Sequence, residues 1–233
     1  MKKPYTVFIT GASEGIGASI SKMLCRNGHN VFAFARSEDK LQDLKTSCAN
    51  MSGNLAFFVG DVTSNDDLQN AANSCLTDFG KLDILIPNAG VGYFNPLVQG
   101  SIEEWETMVD VNVTGVLRTI HVTLPHLVKA KGQIINIGSV AARNIFPNSG
   151  VYCATKHAVL AISESLKIEF QDVLAITTIN PGSVDTSFID KTNNETLKAQ
   201  YKPTFDSGMQ PDFIANAVLQ AINNENLSNG PIS

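Results

Sequence analysis

The sequence predicts an α/β fold: a doubly wound parallel sheet in three αβα layers. Three observations point there. Short β-branched and aromatic runs alternate with helical patterns along the chain, and such alternation builds parallel sheets with helices on both faces. A glycine-rich turn, Gly11-Ala12-Ser13-Glu14-Gly15-Ile16-Gly17, joins the first strand to the first helix. Residues able to carry chemistry recur just after predicted strands, where ligands gather on sheets of this kind. The 233 residues, 43% hydrophobic and 17% charged, suit a compact globular chain. With no repeat or linker to divide it, the chain reads as a single domain over 1–233.

Residues 5–10 (YTVFIT) form the first strand. The glycine turn follows, then a helix to about residue 27, with Ile20, Met23 and Leu24 at i, i+3 and i+4. Glycines let a backbone approach a pyrophosphate, and a helix N-terminus offers free N–H groups and partial positive charge. The spacing here is G-x-x-x-G-x-G. A bare glycine turn without ligand is the bland alternative, and the strand–turn–helix context favours nucleotide binding. Residues 30–35 (NVFAFA) form the second strand. An acid at its end would accept from an adenosine ribose 2′-OH, whereas a cation would suit a 2′-phosphate. Ala35 holds the acid position and Arg36 is next, so NADP(H) is expected over NAD(H).

A helix over 38–49 leads to a third strand at 54–60, ending in Asp61-Val62. Ser64 or Asn65 caps the next helix, which runs to Phe79. The fourth strand, 81–87, ends in Asn88-Ala89-Gly90. Ser101-Ile102-Glu103-Glu104 has the form of a capping box and opens a long helical region towards Val128, with Asn112 among apolar neighbours. A buried amide there needs partners. The fifth strand, 133–137, precedes Ser139, and 141–149 reads as a loop. A helix from Gly150 follows, with Ala158, Ile162, Leu166 and Phe170 at every fourth residue. The sixth strand, 174–179, leads to Asn180-Pro181-Gly182-Ser183-Val184-Asp185-Thr186. Residues 187–210 are polar with little periodicity and read as a lid or substrate loop. Pro211 starts a last helix to about Ile222.

Composition removes several function classes. Net charge is −5 and no basic tract occurs, which disfavours nucleic acid and anionic membranes as partners. No apolar run approaches a membrane span, and the N-terminal apolar run is too short for a signal segment. Cys25, Cys48, Cys75 and Cys153 lie far apart, the pattern of reduced cytoplasmic thiols. The four histidines are scattered without metal-ligand spacing.

Tyr152 and Lys156 stand at i and i+4, so on a helix they share a face. A cation roughly 4 Å from a phenolate favours it by at most about 4 kcal/mol at an effective dielectric of about 20. A phenol so tuned can protonate a carbonyl oxygen or deprotonate an alcohol. Alone, the pair is an ordinary helical surface pattern. The glycine turn and the alternating strands give it another meaning.

Taken together in order, Thr10-Gly11-Ala12-Ser13-Glu14-Gly15-Ile16-Gly17, Asp61-Val62, Asn88-Ala89-Gly90, Asn112, Ser139, Tyr152…Lys156 and Pro181-Gly182…Thr186 resemble the short-chain dehydrogenase/reductase family over nearly the whole chain. The resemblance implies a Rossmann-type sheet of six or seven strands and NAD(P)-dependent interconversion of carbonyl and alcohol. It implies Tyr152 as general acid/base, with Lys156 holding the nicotinamide ribose and lowering the phenol pKa. Ser139 would bind the substrate oxygen, and Asn112 would order a water leading to Lys156. Gly11, Ser13, Glu14, Gly15, Ile16 and Gly17 would hold the phosphates, and Asp61 and Val62 the adenine. Asn88, Ala89 and Gly90 would line the cofactor. Pro181, Gly182, Val184 and Thr186 would hold the nicotinamide end.

Three positions depart from the family pattern. Pro87 replaces an Asn, Glu14 stands where NADP-preferring members often carry a cation, and only 228–233 is available for a seventh strand. The last weighs against a tetramer and leaves a homodimer through the helices at 104–129 and 150–171. The expected function is reduction of a small or medium ketone or aldehyde by NADPH. A 3-oxoacyl-carrier-protein reductase is the alternative within the family, and a non-catalytic NADP sensor the alternative outside enzymes.

Overall fold

The computed structural model describes residues 4–223. Six strands form one parallel sheet: β1 (Thr6–Thr10), β2 (Asn30–Ala35), β3 (Leu55–Val59), β4 (Ile84–Ile86), β5 (Gln133–Ile137) and β6 (Ala175–Ile179). Their order is β3-β2-β1-β4-β5-β6, and every pairing is parallel. The order reverses between β1 and β4, and the crevice at such a switch point is where ligands bind. The seventh strand considered for 228–233 lies outside the described residues.

Alternation along each strand divides the core. Val7 and Ile9 of β1 face one helical layer, made by α1 (Gly15–Arg26), α2 (Glu38–Cys48) and α8 (Pro211–Asn223). Phe8 faces the other, with α3 (Asn65–Phe79), α5 (Gly115–Ala130) and α6 (Gly150–Glu169). Both faces are covered, so the strands are mainly apolar, with Asn136 of β5 and Thr177 and Thr178 of β6 as buried exceptions. Phe8, Phe32 and Phe34 stack across three positions of that second face, with ring centroids 5.4 and 6.1 Å from Phe8.

The caps follow the sequence. Ser64 Oγ accepts from Asp67 N, and Ser101 Oγ from Glu104 N. Two expectations change. The helix expected from Ser101 to Val128 is not uniform. It consists of α4 (Ile102–Val109), a wide π-type turn at Asp110–Thr114, and α5. An extra residue in a helical turn is a known feature of functional sites, and here it carries Asn112 inward to 1% exposure. The segment 187–210 is not an open loop. It holds a 3₁₀ turn at Ser187–Lys191 and α7 (Glu195–Asp206), capped by Asn194. Among the described residues no helix is long and apolar enough to cross a membrane.

Candidate active site

A cleft of about 650 Å³ lies over the C-terminal ends of the strands, lined at one end by Arg36 and Asp61 and at the other by Tyr152. Its floor is backbone. Gly11 and Gly15 have φ of +64° and +54°, which side chains seldom adopt. A Cβ on Gly11 would lie 2.8 Å from Ala89 Cα, so the turn after β1 touches the turn after β4. A Cβ on Gly17 would lie 2.3 Å from the Gly11 carbonyl oxygen. Gly17 does not line the cleft; it stands behind the wall and lets α1 start there. Ser13, Glu14, Ile16, Val62, Ala89, Gly90, Pro181, Gly182, Val184 and Thr186 all line the cleft. Asn88 lines it too, but its amide donates to the carbonyls of Thr10 and Gly11, each at 3.0 Å, and so ties β1 to β4. Pro87 fits without disturbance: its carbonyl accepts from Ile137 N, and the strand has already ended at Ile86.

Charge collects at the Arg36 end. Arg36 Nη1 lies 3.6 Å from Asp61 Oδ2. Glu14 is paired with Lys40 of α2, so the position that lacks a cation in the sequence has one beside it in space. Sequence reading passed over Lys40 because it sits one turn into a helix, far from any glycine motif.

The other end holds the phenol. Tyr152 and Lys156 share one face of α6, with the Lys156 nitrogen 5.9 Å from the Tyr152 ring centre. Lys156 is 7% exposed, and its ammonium donates to the Ile137 carbonyl at 3.2 Å. Burial pulls its pKa down to about 8. Burial pushes the Tyr152 phenol up to about 12, while the Ser139 hydroxyl beside it pulls the other way. The direction is opposite to the depression expected from the sequence. The ammonium is turned to the Ile137 carbonyl, and the phenol sits among apolar rings, where desolvation of a phenolate dominates. Ser139 Oγ also accepts from Ala141 N at 3.1 Å, which fixes its position at the end of β5.

Asn112 does not reach the cleft. Its side chain accepts from Val91 N and donates to the Val91 carbonyl, both at 2.8 Å, and donates to Thr155 Oγ1 at 3.1 Å. A Cβ on Gly90 would lie 3.4 Å from Asn112 Oδ1 and 3.9 Å from Lys156 Nζ, so the two side chains flank the same glycine.

Over the phenol lies a cluster that sequence reading missed. Phe94 has ring centroids of Tyr152, Tyr201, Phe205 and Phe188 at 5.8, 5.9, 6.2 and 6.3 Å. Phe188 is 5.5 Å from Tyr152. Three of these rings come from 187–210. Leu197, Tyr201 and Phe205 stand at i, i+4 and i+8, a signal that was present but diluted by the polar residues around it. The Tyr201 hydroxyl donates to the Pro147 carbonyl at 3.2 Å and meets Asn148 Nδ2 at 3.1 Å. Thr192 Oγ1 accepts from Phe94 N, and Asn193 donates to Glu104. At the base, Val184 and Met209 form a parallel bridge, with Asp185 N on the Met209 carbonyl and Met209 N on the Ser183 carbonyl, both 2.9 Å.

Known proteins share this architecture. The family model for short chain dehydrogenases matches residues 5–197. An uncharacterised oxidoreductase of Staphylococcus saprophyticus is 37% identical over 225 residues, covering 95% of this chain and 91% of the relative. A glycine betaine reductase of Emericella nidulans is 33% identical over 92% of this chain, which corresponds to 17% of that longer protein. The structure of an alcohol dehydrogenase from the archaeon Thermococcus sibiricus, complexed with 5-hydroxy-NADP, superposes with a TM-score of 0.87 at 30% identity, covering 99% of this chain and 94% of that one. With the glycine turn, the switch-point cleft and the Tyr152–Lys156 helix face all in place, the chain belongs to the short-chain dehydrogenase family of oxidoreductases.

Proposed function

We propose that the protein is an NADPH-dependent reductase that converts a ketone or aldehyde to an alcohol, reversibly. The observation that carries this reading is the meeting of Tyr152, Lys156 and Ser139 at one end of a cleft whose other end holds Arg36. The bound cofactor would supply the hydride to the carbonyl carbon, and the protein supplies proton and geometry. Ser139 orients the carbonyl oxygen by a hydrogen bond. Tyr152, held protonated by burial, gives its proton to that oxygen as charge develops there. Lys156 holds the nicotinamide ribose, and Asn112 fixes the wall against which a water reaches the ammonium. In the reverse direction the same phenol, once ionised, takes the alcohol proton.

The residues fit a dinucleotide. Gly11, Gly15 and Gly90 line the cleft with bare main chain that a ligand can approach, and the N-terminus of α1 starts at the same turn. Asp61 and Val62 border the adenine, and Pro181, Gly182, Val184 and Thr186 the nicotinamide. The 2′-phosphate falls to Arg36, with Lys40 and Ser13 near it. NADP-bound and NAD-bound relatives both exist, so preference rests on Arg36 and on the missing acid at Ala35. A homodimer is part of the reading, supported by exposed Val109, Leu117 and Ile168 on α4, α5 and α6. A cytoplasmic setting is supported by four free, buried thiols.

The test is Tyr152→Phe. It keeps NADPH binding, measured by fluorescence titration, and lowers kcat for carbonyl reduction by roughly 10²–10⁴-fold, the usual scale of general acid catalysis. Turnover equal to the unaltered protein would refute the role. Tight NADPH binding with no turnover of any carbonyl by the unaltered protein would favour a sensor instead.

A further inference from the structure

Two ends of one cleft carry different chemistry. The charged side chains that line it, apart from Lys156 beside the phenol, gather at the Arg36 end: Glu14, Lys40, Asp61 and Lys191 with Arg36 itself. Around Tyr152 the lining side chains are neutral. Phe94, Phe188, Tyr201 and Phe205 form the roof, and Ala141 and Phe146 line the opposite loop. Two polar groups there are already used: the Tyr201 hydroxyl on Pro147 and Asn148, and the Ser149 hydroxyl on the Phe146 carbonyl at 2.9 Å. The phenol, Ser139 and the Thr204 hydroxyl of α7, all of them neutral, remain to meet a substrate.

We propose that the substrate is a neutral, apolar carbonyl compound, with an aryl ketone or aryl aldehyde the best fit. This rests on the reductase reading and names its substrate class. A carboxylate entering this end would lose its hydration, and the one cation there, Lys156, is turned to the Ile137 carbonyl and on the reductase reading holds the ribose; a poorly paired buried charge is strongly disfavoured. A quaternary ammonium carbonyl would find ring faces but no carboxylate lining that end. A neutral ring finds edges and faces at once, because the roof rings are tilted by 50–71° to their neighbours around Phe94 and Tyr152.

The test compares benzaldehyde and acetophenone with pyruvate, acetoacetate and betaine aldehyde, each with NADPH and the full chain. The expected result is kcat/KM higher for the neutral aryl compounds by about 100-fold or more, the scale set by one uncompensated buried charge. Phe205→Ala is expected to raise KM for the aryl compounds about 3–10-fold, the scale of one lost ring–ring contact, with the NADPH Kd unchanged. In a second measurement, 1-phenylethanol raises the Tm of the NADP⁺-loaded protein and lactate does not. Preference for an oxo acid or for betaine aldehyde, or equal use of all, overturns the inference while leaving the reductase reading intact. Turnover of no carbonyl at all overturns both.

A separate observation concerns Lys191. It ends the 3₁₀ turn of the lid, is half-buried, lines the cleft, and lies in the field of Arg36, Glu14 and Lys40. Glu14, the carboxylate in that field, is already paired with Lys40, and Lys191 has no ionic partner among the described residues. Its pKa is pulled down, first by burial and then by Arg36. We infer that Lys191 is a phosphate-binding residue carried by the lid. Lys191→Met is expected to raise the NADPH Kd about 10-fold or more, the scale of a charge-assisted contact. The same rise for NADH marks the pyrophosphate as the target, and a rise for NADPH alone marks the 2′-phosphate. An unchanged Kd for both cofactors overturns the assignment.

Discussion

The two walls of the cleft are built differently. The wall beneath the dinucleotide is made largely of main chain: a Cβ on Gly11 would meet Ala89 Cα at 2.8 Å, and one on Gly17, just behind the wall, would meet the Gly11 carbonyl oxygen at 2.3 Å. The roof over Tyr152 is made of side chains, Phe188 from the 3₁₀ turn and Tyr201 and Phe205 from α7, on a segment that touches the rest through rings and a few hydrogen bonds. Main-chain fit tolerates no added atom, whereas a roof of rings gives by degrees.

That difference sets the size of the effects expected. Gly17→Ala places a methyl 2.3 Å from the Gly11 carbonyl oxygen. Relieving such a clash costs about 3 kcal/mol, and Tm falls by about 6–12 °C at about 2–4 °C per kcal/mol for a chain of this size. Phe205→Ala, on the roof, lowers Tm by less than half as much; equal losses would erase the contrast. Arg36→Ala raises the NADPH Kd about 10–100-fold, as a charge-assisted phosphate contact is worth about 1.5–3 kcal/mol, and leaves NADH within about 3-fold. Equal weakening of both would remove the 2′-phosphate role.

The effect of pH is of intermediate size. Lys156 is lowered to about 8, so it loses its charge as pH rises through that value. kcat/KM for NADPH, which reports free-enzyme groups, therefore falls above about pH 8, by up to about tenfold per unit. Lys156→Met loses that inflection. The smallest effect is Tyr201→Phe. It removes the bonds to Pro147 and Asn148, worth about 0.5–1.5 kcal/mol each, and raises substrate KM about 3–10-fold while the Tyr152 chemistry is kept.

The same contrast governs what the sequence discloses. Gly11, Gly15 and Gly17 are legible because main-chain geometry demands one residue type at fixed spacing. Tyr152 and Lys156 are legible because a helix face sets their interval. The sheet is legible because both its faces are buried and its strands are short, mainly apolar runs. Phe94 and Phe205 are not legible as partners, since many apolar residues could form such a roof and no spacing links positions so far apart in the chain. Lys40 and Lys191 read as ordinary solvated cations until the fold brings Glu14 and Arg36 beside them. The tuning of Tyr152 is not legible, because helical spacing reports a neighbour and not the desolvation of the phenol.

The clasp at Val184 and Met209 has a mechanical meaning. Because the two ends of the segment are bonded to each other, the chain between them is a closed loop held at one point. Its entropy of closure is met at the clasp, whatever position the roof takes. The roof can therefore lift as a rigid flap, with α7 intact and its rings leaving together. Amide exchange in α7 and in the 3₁₀ turn before it is expected to proceed as one cooperative unit.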